Sequence, residues 1–305
     1  MAKVSDVASY LGFGWDYATS ERDYLKWGAV VFLAVFAGLA LAVGMVAASV
    51  LSFMVSGFSA EGLIASGGAA IAGIIILLLV VFVLSSYWNV ILARGTVSKA
   101  RGKGNAISAM KHGAWGMALK FIALSIIIAI VVTIVNVVLE LISPVLAQIV
   151  GLLISIPFMF AAYALVSGDR KFWASIPRSV ELVAANPVTA LAAFVASVVA
   201  VIVFAIVGVI IGVALALIAI AALGMGGLGQ VIAVVVGIIT AIFALFFISF
   251  ITLFNTGVIA SLYASLDAET GGRRAAAGAS EIKAAPARRA PVRRAARKPA
   301  RRTRK

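Results

Sequence analysis

Uninterrupted apolar runs, several longer than the ~18–20 residues a bilayer span requires, constrain this chain more than any other feature. Residues 198–220 contain no charged or amide side chain at all. In a medium without water, backbone N–H and C=O groups must pair internally, which leaves helices or a closed barrel. Barrel strands would alternate apolar and polar residues over ~10-residue segments, and neither 71–84 nor 198–220 alternates. Helices are therefore expected. Composition agrees: 64% of the residues are hydrophobic and 12% charged, against ~45–50% and ~25% in an average soluble domain.

The expected spans are 28–56, 62–92, 116–142, 145–166, 188–222 and 229–265, separated alternately by short and long links. The fold class is thus all-α integral membrane, a six-transmembrane-helix bundle of three helical hairpins, followed by a disordered basic C-terminal tail. The domains are an N-terminal segment 1–27, a membrane domain 28–266 and the tail 267–305. The first 26 residues hold four acids and three bases, unlike the basic start of a cleaved signal peptide, so no removable leader is expected.

Charge sets the expected orientation. Lys and Arg number 3 before the first span, 6 over 94–120, 3 over 170–178 and 13 from Arg273 onward, which accounts for all 25. Cytoplasmic segments carry such an excess, so both termini and the long loops are expected in the cytoplasm of a cell-membrane protein. All five Trp and all six Tyr fall in or beside those same segments, where amphipathic rings meet the headgroups. The short links hold no cation, and the Gly-rich stretch 224–229 has no lysine to make a phosphate loop.

A short amphipathic helix is expected before each hairpin. Val4, Ala8, Leu11 and Trp15 stripe the first, and Ile107, Met110 and Trp115 the second. Ile176, Val180 and Val183 stripe the third, with Ser175 as its cap and Pro177 in its first turn. The unit "surface helix, span, span" would then occur three times. Gly208 and Gly212 form a small-xxx-small pair suited to close helix packing.

From Asp267 the composition turns to Ala, Pro, Arg and Lys, and 267–305 carries +10 of the total +14. Proline and self-repulsion, with few large apolar residues, predict disorder. The candidate residues for an anionic partner are Arg288, Arg289, Arg293, Arg294, Arg297, Lys298, Arg301, Arg302, Arg304 and Lys305. Three readings stand open: the tail lies on anionic lipids of its own membrane, it neutralises phosphates of DNA, RNA or a ribosome, or it only pins the C-terminus inside. It contains no aromatic ring for base stacking. The expected partners are the lipid bilayer, anionic lipids, a homo-oligomeric copy of the chain and, through the tail, nucleic acid or the ribosome.

Catalytic chemistry finds little to work with. The chain has one histidine, His112, and no cysteine, so thiolate zinc sites and His-based triads lack partners. No metal, no cofactor and no enzymatic activity are expected. A candidate polar membrane face comprises Asn136 and Glu140, with Thr133 and Gln148 nearby, and Asn255 near the inner end of the last span. Such groups more often hydrogen-bond between helices than bind a substrate. The leading expectation is a non-enzymatic multi-pass protein, a membrane module or tether whose tail binds anionic lipid or nucleic acid. The alternative is a transporter or channel for a small or lipid-like solute.

The stretch Trp173-Ala-Ser-Ile-Pro-Arg-Ser-Val-Glu-Leu-Val-Ala-Ala-Asn-Pro187 leading into a span, with Leu262-Tyr263 closing the last one, carries a resemblance. The layout resembles a group of uncharacterised prokaryotic six-span membrane proteins. These are related to the membrane domain that precedes the catalytic domain in some glycerophosphoryl diester phosphodiesterases. The resemblance implies a membrane module without chemistry of its own. A phosphodiesterase domain, with its His pair and carboxylate cluster, is missing from this sequence, so that activity does not carry over.

Overall fold

The computed structural model describes residues 7–56, 60–167 and 172–284. Among them every regular element is helical: α1 (Val7–Ser20), α2 (Arg22–Ser56), α3 (Ala60–Ala100), α4 (Ile107–Lys111), α5 (Ala114–Glu140), α6 (Pro144–Phe158), α7 (Ala161–Val166), α8 (Phe172–Ala185), α9 (Pro187–Leu223) and α10 (Gly227–Ala284). Five of these, α2, α3, α5, α9 and α10, contain segments long and apolar enough to cross a membrane. A short helix, α1, α4 or α8, precedes each hairpin of longer ones. The chain divides into a compact unit 1–267 and a second unit 268–305.

Local chemistry explains most helix boundaries. Ser143 caps α6, its hydroxyl accepting from Leu146 N, with Pro144 in the first turn. Pro187 likewise opens α9 after Asn186, where the missing N–H is no loss. Gly226, at φ +74°, turns α9 into α10, a conformation that costs glycine least. Two helices outrun their expected ends. α3 continues to Ala100 rather than stopping near 92, because Val97 is buried and Thr96 bonds back to Leu92 O at 2.9 Å. The expected loop 94–111 therefore shrinks to the turn at Gly102 (φ +70°) and the segment up to α4. α10 runs on to Ala284, past the Asp267 boundary of the expected disordered tail. Alanines 275–277 and 279 favour helix.

The fourth expected span, 145–166, is not one continuous helix. It is α6 and α7 with a turn at Met159–Phe160. Pro157 supplies no N–H and crowds the preceding turn, so the ladder opens. Ser179 of α8, fully buried, closes the account of hydrogen bonds there. Its hydroxyl donates to Pro157 O and accepts from Phe160 N at 3.2 Å. Broken backbone in an apolar setting is tolerated where protein re-satisfies it in this way.

Packing is concentrated at one end of unit 1, called the base below. Tyr17, Tyr24, Trp88, Ile91, Leu92, Phe160, Leu182, Leu253, Leu262 and Leu266 form its buried core. Their elements are α1, the start of α2, the end of α3, the α6–α7 break, α8 and the second half of α10. Gly14 and Gly257 let α1 and α10 touch backbone to backbone; a Cβ on Gly257 would sit 2.9 Å from Gly14 Cα. Away from the base, the limbs of α2, α3, α5, α9 and α10 expose their aliphatic side chains, among them Leu79, Ile134, Leu217 and Val231.

The apolar stripes of the short helices are partly buried: Leu11, Ile107, Met110, Ile176 and Val183 pack against core residues, while Trp15 and Val180 stay exposed. α1 buries Tyr10, Gly14, Tyr17 and Ala18, while Trp15 is 49% exposed. α8 buries Ser175, Arg178, Ser179 and Leu182 and leaves Val180 and Trp173 exposed. It also starts one turn early, at Phe172. Ser175 is thus inside the helix, donating to Phe172 O at 2.7 Å, and is not its cap, and Pro177 lies in the interior. On α8 the polar residues Ser175, Arg178 and Ser179 are the ones that need protein around them.

Candidate functional site

The base gathers the charged side chains. Arg178, nearly buried, donates from Nε and Nη2 to Asp267 Oδ1 at 3.2 and 2.7 Å. Glu181, one turn on, lies 3.0 Å from Nη1. The second Asp267 oxygen takes Arg101 Nη2 at 3.0 Å, and the Arg101 guanidinium stacks over the Tyr263 ring. A single carboxylate thus ties together the end of α3, α8 and α10. Burial alone would lower the Arg178 pKa, but its hydrogen bonds to Asp267 and Glu181, with the negative charge of both, outweigh it and hold the value above the ordinary one. The guanidinium stays charged because its partners are built in.

A second cluster joins α1 to α3. Lys99 Nζ lies 2.6 Å from Glu21 and 3.0 Å from Ser20 Oγ, over the ring of Tyr17. Tyr24 donates to the carbonyl of Asn105 at 2.6 Å. Burial, with Tyr24 and Glu21 adding to it, raises the Tyr17 phenol pKa well above its usual value, so it remains neutral.

Beside the clasp on Asp267 lies a cleft of about 170 Å³, lined by Arg94, Ser98, Arg101, Lys103, Met110 and Ser167 among others. The left-handed turn at Gly102 brings Lys103 back over α3, where its N–H bonds Ser98 O at 2.8 Å. Arg94 Nη1 donates to the carbonyls of Met110 and His112, both at 2.8 Å, which fixes the guanidinium against α4. The Ser98 hydroxyl bonds Gly104 O at 2.6 Å, and Ser167 shares a 3.3 Å contact with the Tyr263 hydroxyl. Among the described residues, no carboxylate lies within ion-pair distance of Arg94 or Lys103. Cations and hydroxyls face this space, a set suited to holding an anion.

The expected site residues fall elsewhere. The ten tail cations, Arg288 to Lys305, lie outside the described residues. Asn136 on α5 sits against Gly151 of α6, its Oδ1 buried, while Glu140 and Gln148 are exposed. Asn255 is in the base, accepting from Ser197 of α9. No contact unites it with Asn136 or Glu140. His112 contributes its carbonyl to Arg94. Gly208 packs on the Phe247 ring of α10, whereas Gly212 meets nothing; only half of the small-residue pair is used within the chain. Among the described residues, no three His, Asp or Glu gather as metal ligands would. Sequence reasoning missed the cleft because its residues are scattered over 94–167 and α3 was expected to end before them.

Two further clefts are apolar and lie along the limbs. One, of about 260 Å³, runs between α9 and α10 past Gly208, Gly212, Thr240 and Phe247. The other, of about 270 Å³, separates Leu33 and Phe36 of α2 from Ala241 and Leu245 of α10.

No protein-family model, curated relative or solved structure matches the chain. The resemblance to the phosphodiesterase membrane domain therefore rests on the quoted residues alone.

Proposed function

We propose that this chain is a non-enzymatic multi-pass membrane protein that crosses the cell membrane six times. In this account α6 and α7 together make the fourth crossing, and both termini lie in the cytoplasm. One observation carries the account. Within 7–267, every described charged side chain except Glu140 falls at the base ends of the helices, while the limbs present aliphatic side chains. Trp27, Trp115 and Trp173 are exposed around the same end, and Lys111 stands 4.0 Å over the Trp27 ring. Cations with interfacial aromatics are the signature of the cytoplasmic interface.

With the C-terminus cytoplasmic, the basic tail has anionic lipid always at hand, and each base is worth ~1 kcal/mol near the surface. The protein acts as a membrane module that engages anionic partners through this tail. The test compares the wild-type chain with a full-length variant carrying glutamine at the ten paired tail cations. Both are purified at near-physiological salt, and co-purifying anionic lipid and nuclease-sensitive nucleic acid are quantified. Loss of bound lipid in the variant supports a lipid-anchored module. Tail-dependent nucleic acid would make the protein a membrane tether for DNA or ribosomes, and no difference would overturn a binding role for the tail.

The apolar clefts favour one second reading, passage or storage of a lipid-like solute along α9 and α10. Asn136, Glu140 and Asn255 do not line either cleft, so a polar solute is not what this path would serve. Alanine at Asn136 or Asn255 with unchanged flux, but reduced flux on filling the cleft by Gly212→Leu, would support it.

A further inference from the structure

We infer that the cleft between α3 and α4 is a binding site for a phosphate ester, independent of the basic tail. The walls bring three cations, Arg94, Arg101 and Lys103, to one concavity with the hydroxyls of Ser98 and Ser167. Arg101 is already engaged by Asp267. Arg94 and Lys103 have no carboxylate within ion-pair distance among the described residues, so the cleft carries net positive charge. Arg94 is also pre-positioned: its two bonds to the Met110 and His112 carbonyls lock Nη1 and leave Nε and Nη2 for another acceptor. The hydroxyls of Ser98 and Ser167 already donate to the carbonyls of Gly104 and Ala164, so a planar guanidinium beside a flexible ammonium supplies the donors that phosphate oxygens recognise.

Size is consistent with that ligand. The cavity of about 170 Å³ is more than ten times the ~10–15 Å³ that one water needs on this measure, room for a phosphate and part of its ester. Depth points to where the ester comes from. Trp27 and Trp115 are exposed near the start of α2 and of α5, and the ring of Trp115 stacks on Tyr87, seven residues before Arg94 on α3. The cleft thus lies about 10 Å, two helical turns, along α3 from this aromatic level. A lipid headgroup of the inner leaflet and a soluble phosphate ester both meet these requirements through the same group.

The experiment uses full-length protein in neutral detergent micelles. Native mass spectrometry counts bound copies of short-chain phosphatidic acid, with phosphatidylcholine as the neutral control and inorganic phosphate as competitor. One saturable copy of phosphatidic acid is expected beyond any salt-sensitive, multi-copy binding by the tail. Lys103→Gln, at an exposed position without a described partner, should weaken that copy about fivefold, the worth of one interfacial charge. Arg94→Gln should weaken it at least as much. Its fold is checked by helical circular dichroism and monodispersity, and Lys103→Gln carries the test if it misfolds. The ten-glutamine tail variant should keep the saturable copy, so failure of the tail account and failure of this one are separable. Displacement by millimolar inorganic phosphate identifies a soluble ester as the source, and resistance to it identifies lipid. Absence of a saturable copy with both probes, or unchanged binding in folded Lys103→Gln and Arg94→Gln, would overturn the inference.

Discussion

Gly257 and Gly237 lie on the same helix, 20 residues apart, and make opposite use of the same residue type. Gly257 presses against the backbone of α1, while Gly237 has nothing within 4 Å. The contrast holds for whole regions. In the base, small, aromatic and charged side chains interlock, and several polar groups find partners across elements: Arg178 with Asp267, Pro157 O with Ser179, Asn255 with Ser197. In the limbs, aliphatic side chains point outward with few protein neighbours. A bilayer supplies those contacts for the limbs, and nothing but protein supplies them for the base. Specificity of the fold therefore resides in the base, and hydrophobicity of the limbs only decides which solvent they occupy.

Thermal unfolding of the full-length protein in one detergent, variant against wild type, tests this division. Arg178→Ala should have the largest effect, a loss of about 3–5 kcal/mol, because the nearly buried guanidinium is the main partner of Asp267, which is then left with Arg101. Leu253→Ala, in the fully buried core, should cost about 2–5 kcal/mol. Leu217→Ala on the α9 limb, 60% exposed, should stay within ~0.5 kcal/mol. Equal effects at the two leucines would erase the distinction between base and limb. Ser179→Ala should cost about 1–3 kcal/mol by orphaning Pro157 O and Phe160 N. Gly237→Ala should change stability by no more than ~1 kcal/mol, whereas Gly257→Ala should be clearly destabilising.

Much of the architecture was legible in the sequence, and the reason is the solvent. Runs such as 198–220 declare helix because hydrocarbon admits only helices or closed barrels and these runs do not alternate. Ser143-Pro144 and Asn186-Pro187 announce helix starts through chemistry that needs no tertiary context. The base was harder to read. Arg94 reads as the end of a span by its charge, yet α3 runs through it because Gly95, Thr96 and Val97 pack inward against neighbours distant in sequence. The break at Pro157 depends on Ser179, 22 residues on, and no local pattern declares that partner. The stripes on α1 and α8 were visible, but which stripe faces protein depends on the surroundings. On α8 the core takes Ser175, Arg178 and Ser179 as well as part of the apolar stripe, while Val180 and Trp173 stay outside. The cleft needed the Gly102 turn and the close approach of α3 to α4, both products of the packing.

The account rests on the base and the outer links lying on opposite sides of the membrane. The chain has no cysteine, so single cysteines can report this without background. Ala106→Cys in the base loop, Leu141→Cys before α6 and Met225→Cys between α9 and α10 would be labelled in intact cells with a membrane-impermeant maleimide. The account predicts labelling of Leu141→Cys and Met225→Cys from outside, and of Ala106→Cys only after the cells are opened. Labelling of Ala106→Cys from outside would contradict the orientation. Protection of Met225→Cys with labelling of Leu141→Cys would show that α6 and α7 do not complete a crossing, and the six-span account would fall.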